Sequence, residues 1–439
     1  MDQIYCARID AEYPGNARLW SGMGFVSQQL SQIQSGGWPM LRAKLRTGIL
    51  FVVAAPLCLP LVLMIRVLRP VKTIRFTWLP SRLIGHAVFE PEIYLSRLAL
   101  GLLPEKGILD LYYFESTQHS NRYWKKIVER HLPVYRFFYY LHRFNKLFPG
   151  WAPHHRTPYA ELHSSADPDN LFGRVGPQIK FTSEEDDLGA KYLHKIGLPK
   201  NAKFVCVQVR DSAHDAKLNP VGLAPSYNEF RNSDITSYIP AFEFLAEKGY
   251  WVIRMGKVTA NRLQTGNPRI FDYSNSGERT EFLDVWLCFN CSFMISSGSG
   301  IDALAAIARK PIVCVDCLAY LDITYFFRNS LIIFKHLCEG KTGRRLSLQE
   351  IIDTESQSYY KSSDFYRSRG IEWRPNTSLE IEDAVREMVA RLENRWQESS
   401  RDGVLQSEAG QIFARSTQYR SQYKAGFVHR VGAQFLRQM

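Results

Sequence analysis

Hydrophobic positions along this chain change rhythm several times, and each change marks an element. Gly48 to Ile65 (GILFVVAAPLCLPLVLMI) carries no charge over 18 residues, about 27 Å of helix, near the thickness of a bilayer core. Arg42, Lys44 and Arg46 precede it, and Arg66, Arg69, Lys72 and Arg75 follow. Before it, helix potential over Leu19–Leu45 is interrupted at Gly36-Gly37. Pro56 and Pro60 are expected to break helical hydrogen bonding midway. Basic residues on both flanks fit a bent segment entering and leaving on the cytoplasmic side; a straight single span is the alternative.

Beyond residue 72 the pattern becomes that of an α/β protein. Thr73–Trp78 alternates like a strand, Glu90 to about Leu103 reads as a helix, Gly107–Phe114 as a strand and Asn121–Glu129 as a helix. Residues 147–178 are rich in Pro, His, Gly and Asp and read as a linker. A helix over Glu184–Ile196 stops at Gly197, and Phe204–Val209 is a nearly unbroken apolar strand of the kind buried on both faces of a parallel sheet. A helix capped by Ser233 or Asp234 runs through Glu247, with Pro240 as a blemish in its first turns. Trp251–Met255, Phe293–Ile295 and Ile312–Val315 are further strands, each after a helical stretch, and Glu380–Leu392 is a late amphipathic helix. The expected organisation is an N-terminal arm and membrane segment (1–72, apolar over 48–65), a first Rossmann-like unit (73–178), a second (179–393) and a polar, basic C-terminal tail (394–439).

The stretch richest in chemistry joins the Phe293 strand to the next helix. Ser296-Ser297-Gly298-Ser299-Gly300-Ile301-Asp302 runs from a short apolar strand into an Ala-rich helix. That order aims free backbone N–H groups and a helix N-terminus at one spot, and serine adds hydroxyl donors. A phosphate or diphosphate suits such a place. A βα turn with an N-cap serine and no ligand is the competing reading. In a parallel sheet, ligands bind beyond the carboxyl ends of the strands. Those ends read Arg210-Asp211, Gly256-Lys257, Ser296 to Gly300 and Asp316. Arg210 offers a planar fork to phosphate, Asp211 orients it or bonds a ribose, Gly256 allows close approach, and Lys257 offsets diphosphate charge. Glu281 and Asp284 are candidates for ribose or base, and Arg231-Asn232-Ser233-Asp234 adds a polar helix entrance. His86 follows a strand and is the candidate general base towards an acceptor hydroxyl, with Glu90 and Glu92 as carboxylate candidates for the same role.

Composition narrows the function classes. The chain has 439 residues, 45% of them hydrophobic and 22% charged, which describes a folded protein rather than a disordered one. A net charge of +12 points to a polyanionic neighbour. The basic residues are scattered rather than gathered in aromatic-interleaved runs, which favours anionic lipid or a phosphate-bearing substrate over nucleic acid. Cys288-x-x-Cys291 and Cys314-x-x-Cys317 resemble a four-cysteine zinc spacing, but they fall at a helix end and within strands. Reduced, buried cysteines in a cytoplasmic compartment are expected instead.

Several of these stretches together resemble a known group. Arg231-Asn232-Ser233-Asp234-Ile235 with Tyr238-Ile239-Pro240, Gly249 to Lys257, Phe282-Leu283-Asp284, Cys288 to Cys291, Ser297 to Gly300, and Asn376-Thr377 with Glu380-Ile381 are similar to a bacterial family of glycosyltransferases associated with surface polysaccharide and lipopolysaccharide. The likeness covers about residues 75–395. It implies a GT-B fold, two Rossmann-like domains facing a cleft, with acceptor on the first and nucleotide-sugar on the second. It implies that Ser297, Gly298, Ser299 and Gly300 meet the donor diphosphate, with Arg210 and Lys257 as cationic help. The second Cys-x-x-Cys is a departure. The sole Asp-x-Asp triplet, Asp167-Pro168-Asp169, lies in the linker-like stretch and reads as a turn rather than a metal site. A metal-independent transfer is therefore expected, with no cofactor beyond the nucleotide-sugar substrate, at the cytoplasmic face of the bacterial inner membrane and onto a glycan or lipid-linked acceptor. A nucleotide-sugar 2-epimerase and a non-catalytic membrane-associated scaffold are the rival readings.

Overall fold

The computed structural model describes residues 22–103, 107–162, 167–213, 229–318, 330–353, 363–415 and 430–439. The first part of the expected arm, 1–21, lies outside them. The chain forms two compact units, one of residues 1–77, 106–113 and 134–156, the other of 78–105, 114–133 and 157–439. This division does not run along a boundary at 178, because segments 78–105 and 114–133 count with the second unit.

The first unit is built on α1, Gly22–Val67, whose one residue with non-helical dihedrals is Gly37 (φ 59°, ψ −153°). The break falls where the paired glycines predict it. Pro56 and Pro60 each lack the N–H for a bond to the preceding turn, as expected, but the helix continues through both of them. Strands β1 (Thr73–Leu79) and β2 (Ile108–Phe114) pair with each other. Bonds from Thr73 N to Gly107 O and from Glu115 N to Leu79 O, at opposite ends, show that they run parallel. Helix α4 (Arg136–Asn145) packs Leu141 and Phe144 with Phe76 of β1 and with Cys58, Val62 and Ile65 of α1.

The second unit holds a seven-stranded sheet in the order β11-β8-β7-β6-β3-β4-β5, every pair parallel. The strands are β3 (Phe204–Gln208), β4 (Trp251–Arg254), β5 (Ile270–Phe271), β6 (Phe293–Ser296), β7 (Ile312–Cys317), β8 (Leu331–Phe334) and β11 (Arg430–Val431). β6 and β7 are buried at every position, as unbroken apolar runs require. The sheet runs outward from β3 to β5 on one side and from β6 to β11 on the other, so the order reverses between β3 and β6. The α/β class and the parallel sheet are those the sequence predicts. β9 (His336–Glu339) and β10 (Ile371–Arg374) form a separate antiparallel pair.

The helices follow local rules. α2 (Ile84–Ala99) starts six residues before the expected Glu90, so Gly85 and His86 stand in its first turn rather than on a loop. α3 (Arg122–His131) is capped by Asn121, whose side chain accepts from Trp124 N at 2.8 Å. α5 (Ser183–Lys195) and α9 (Ser378–Leu392) open with capping boxes, Thr182/Glu185 and Thr377/Glu380. The helix expected from Ser233 divides into a 3-10 turn, Ile235–Tyr238, and α6, Ile239–Glu247. Pro240 falls in the first turn of α6, where its missing N–H has no helical partner to lose. The remaining long helices are α7 (Glu281–Asn290) and α10 (Ser400–Arg415), with the six-residue α8 (Asp302–Ile307) after the Ser/Gly loop. Beyond residue 394 the chain is not merely a polar tail. Phe413 is fully buried, β11 pairs with β8, and Asp402 binds Arg437 at 2.7 Å. Residues 416–429 lie outside the described ones.

Candidate functional site

Between β3 and β6, neighbouring helices leave a sheet on opposite faces, which opens a crevice at the strands' carboxyl ends. Here the two ends are stitched together. Ser297 N donates to Gln208 O at 3.1 Å, and Arg210 N donates to Ser297 Oγ at 2.8 Å. Arg210 O in turn accepts from Ser233 N at 2.8 Å. Loop 229–234 is pinned from beneath by the buried ammonium of Lys335, which donates to Phe230 O at 3.0 Å and to Asn232 O. Arg231 reaches Gly298 O at 3.3 Å. Arg210, Ser233, Arg231 and the Ser/Gly loop are thus one connected edge.

The Ser/Gly loop does not present the open row of N–H groups that its sequence promises. Ser299 N donates to Asp302 Oδ2 at 3.0 Å, Ser296 Oγ donates to the same oxygen at 2.9 Å, and Gly298 N donates to Ser296 Oγ at 3.1 Å. Asp302 N donates back to Ser299 O at 3.1 Å. A carboxyl group from the chain itself therefore occupies the turn. Asp302 is fully buried, and that burial pushes its pKa from about 3.8 to about 7 against the opposing bonds from Ser296 and Ser299 and the field of Arg231. Gly300 and Ile301 keep their N–H groups outside this network, and Ser299 Oγ has no partner among the described residues. Gly298 supplies the positive φ, 75°, that the turn needs.

Two glycines bring α2 against this loop. A Cβ on Gly300 would stand 3.0 Å from Gly85 N, and one on Gly85 would stand 3.1 Å from Gly300 Cα. His86, half-buried, follows Gly85 in this first turn, so its backbone stands next to the Ser/Gly loop. Further along α2, the buried Glu92 accepts from Arg309 Nη2 at 2.7 Å and from the backbone N–H groups of Gln178 and Ile179. Arg309 itself stacks 4.3 Å over the Phe172 ring. Glu92 is therefore an anchor of α2 rather than a candidate base. Glu90 is fully buried within the same helix.

The remaining sequence-nominated residues occupy the same edge with different duties. Asp211 accepts from Ala213 N at 3.1 Å and from Ala260 N at 2.7 Å, tying the loop after β4 to the loop after β3. Gly256 has φ 145°, and Lys257 beyond it is exposed. Asp284 is paired with Arg279 and accepts from Tyr273 Oη at 3.3 Å; burial raises its pKa to about 6, opposed by Arg279 and, more weakly, by Lys257. Glu281 caps α3 by accepting from Arg122 N at 2.9 Å. Asp316, with φ 54°, exchanges bonds with Asn376: Asn376 N donates to its Oδ1 at 2.6 Å, and Asp316 N donates to Asn376 Oδ1 at 2.8 Å. Asp302 is the residue that the sequence reading leaves without a role. Its signal is the Ser299-x-x-Asp302 spacing of a capping box.

Neither Cys-x-x-Cys pair nor the Asp-x-Asp triplet gathers a metal-binding set. The described residues hold no group of three or more such ligands, and all seven described cysteines are free and buried. Asp167 accepts from Leu171 N and Phe172 N, and Asp169 accepts from Tyr159 Oη, a turn as predicted.

No family model and no curated protein matches the chain. Among solved structures it is similar to E. coli ADP-heptose lipopolysaccharide heptosyltransferase II, at 13% identity and TM-score 0.39, covering 73% of this chain and 100% of that one. It is similar also to a family 9 glycosyltransferase from Veillonella parvula, at 10% identity and TM-score 0.42, covering 73% and 98%. A third is the dodecameric iron-containing heptosyltransferase TibC in complex with ADP-D-beta-D-heptose, at 13% identity and TM-score 0.36, covering 73% and 78%.

Proposed function

We propose that this chain is a glycosyltransferase that moves a sugar from a nucleotide-sugar to a hydroxyl of a surface glycan or lipid-linked acceptor. The observation that carries the reading is the edge where the sheet order reverses. There Arg210 and Ser297 are joined, Arg231 and Lys257 add charge, and Gly85 and Gly300 seat His86 beside the Ser/Gly loop. The donor diphosphate is assigned to this edge, meeting Ser299 Oγ, the Gly300 and Ile301 N–H groups, and the guanidinium and ammonium groups. Cations on a preorganised loop stabilise the charge that develops on a leaving diphosphate, which is the metal-independent route.

The base role is assigned to His86 alone, since Glu90 is wholly enclosed and Glu92 is bound to Arg309. Its imidazole takes the proton of the acceptor hydroxyl as the acceptor oxygen bonds to the anomeric carbon. The bond from that carbon to the diphosphate breaks, and the nucleoside diphosphate departs with the electron pair. The chain is placed at the cytoplasmic face of the bacterial inner membrane, in keeping with the apolar α1 helix and the net charge of +12.

Transfer of labelled sugar from a panel of nucleotide-sugars into a lipid-linked glycan extract tests the proposal. The expected result is acceptor-dependent release of nucleoside diphosphate. A donor converted to its epimer without acceptor would replace this reading by the epimerase, and the absence of nucleotide binding by the scaffold.

A further inference from the structure

The form of membrane contact is written into the first unit, and the inference rests on the membrane-surface placement proposed above. Lys44–Val67 is a 24-residue stretch of mean hydropathy 2.7, long enough by composition to cross a bilayer. One face of it is nonetheless packed against the rest of the unit. Cys58, Val62 and Ile65 are buried against Phe76, Leu141 and Phe144. Phe51 meets the rings of Tyr140 and Phe144 at 5.4 and 5.6 Å. At the far end Arg66 donates to Asn145 Oδ1 (3.0 Å), Pro149 O (2.7 Å) and Phe148 O (3.2 Å). From Phe51 to Arg66, roughly 22 Å of helix at 1.5 Å per residue, the chain is held along β1 and α4. Only Thr47 to Leu50 separate that contact from Arg46. A crossing helix needs about 20 consecutive apolar residues in the hydrocarbon core, and whatever is packed along them goes with them. Crossing here would carry the Arg75–Asp110 ion pair, Arg136 and Arg143 into hydrocarbon.

The other face of the helix is apolar and open. Ile49, Val52, Val53, Leu57, Leu63 and Met64 are each more than half exposed, at the three- and four-residue spacing of one helical side. Charge names what covers it. No acidic residue occurs between Glu12 and Glu90, nor between Glu129 and Glu161. The described residues of the first unit carry eleven Arg and Lys against one acidic residue, Asp110, which is paired with Arg75. A second copy of so cationic a unit would meet it with like charge, whereas an anionic leaflet is complementary.

We infer that α1 lies in the plane of a leaflet, its 49–64 face in the acyl region and its flanking arginines and lysines at anionic phosphate headgroups, and does not cross the membrane. Two measurements on the full chain test this. In inverted membrane vesicles of a bacterial expression host, an N-terminal epitope tag is expected to be digested by added protease; a tag protected until detergent is added would establish a crossing helix and overturn the inference. In vesicle flotation, binding is expected to be stronger to phosphatidylglycerol-containing vesicles than to phosphatidylcholine alone and to weaken with salt. Arg69→Gln and Lys72→Gln are each expected to cost about fivefold. Leu57→Glu with Leu63→Glu, both on the exposed face, are expected to abolish binding while leaving the melting temperature unchanged. Equal binding to neutral and anionic vesicles, or unchanged binding by the Glu variants, would overturn it. Nucleotide binding by the same preparation in detergent reports separately on the donor site.

Discussion

Replacing Asp302 by Asn probes the most unusual feature of the Ser/Gly loop, a carboxyl buried in the turn. Asn keeps an oxygen to accept from Ser296 Oγ and Ser299 N, and it cannot ionise. In the native fold burial lifts the Asp302 pKa from about 3.8 to about 7. Between these values the unfolded chain has lost the proton and the folded chain retains it. Stability therefore falls as pH rises through this window, by about 1.4 kcal/mol per unit, and levels off above the folded pKa. The full difference is about 4 kcal/mol. For a chain of this length that is about 4 °C in melting temperature. Melting of Asp302→Asn and the native chain is to be compared at several pH values between 4 and 8. The variant is expected to match the native chain near pH 4 and to exceed it progressively up to pH 8. A constant difference across that range, or a variant less stable at pH 8, would refute the burial argument.

Other substitutions separate the duties of individual residues. Lys257→Ala is expected to weaken nucleoside diphosphate binding about tenfold, equivalent to about 1.4 kcal/mol, as measured by calorimetry; unchanged affinity would remove Lys257 from the site. Gly85→Ala places a Cβ 3.1 Å from Gly300 Cα, so the first turn of α2 must shift by a few tenths of an ångström. Transfer rate is expected to drop with little change in nucleotide affinity, and a parallel loss of both would argue against a role for α2 in catalysis. Glu92→Ala leaves the Arg309 guanidinium enclosed without its carboxylate and is expected to destabilise the protein by about 3–5 kcal/mol, read by chemical denaturation. Glu92→Gln, which retains an acceptor, should lose less.

The sheet was legible where its strands are long and apolar. β3, β4, β6 and β7 stand out as runs of Val, Ile, Phe and Met, and their carboxyl ends name Arg210, Gly256 and the Ser/Gly loop. β5 and β11 are two residues each, too short to have a period, and β11 acquires its strand state only by pairing with β8. α4 was available in the 3.6-residue spacing of Phe137, Leu141 and Phe144. The course of α1 through Pro56 and Pro60 reflects the packing of Cys58, Val62 and Ile65, which local proline rules do not include.

Within the site, residue types were readable but duties were not. Asp211 and Glu281 look like ligands in sequence, yet their carboxylates hold Ala260 and Arg122 backbone. The approach of His86 to the loop depends on Gly85 meeting Gly300, a contact across more than 200 positions that no local pattern encodes.

The most direct test of the account is calorimetric titration of the detergent-purified chain with UDP, GDP, CDP, dTDP and ADP, repeated on Arg210→Gln and on Asp302→Asn. The account predicts saturable binding of one of these diphosphates at native affinity in Asp302→Asn and about tenfold weaker in Arg210→Gln. Absence of binding by all five, or equal affinity in native and Arg210→Gln protein, would contradict a diphosphate site at the β3–β6 edge.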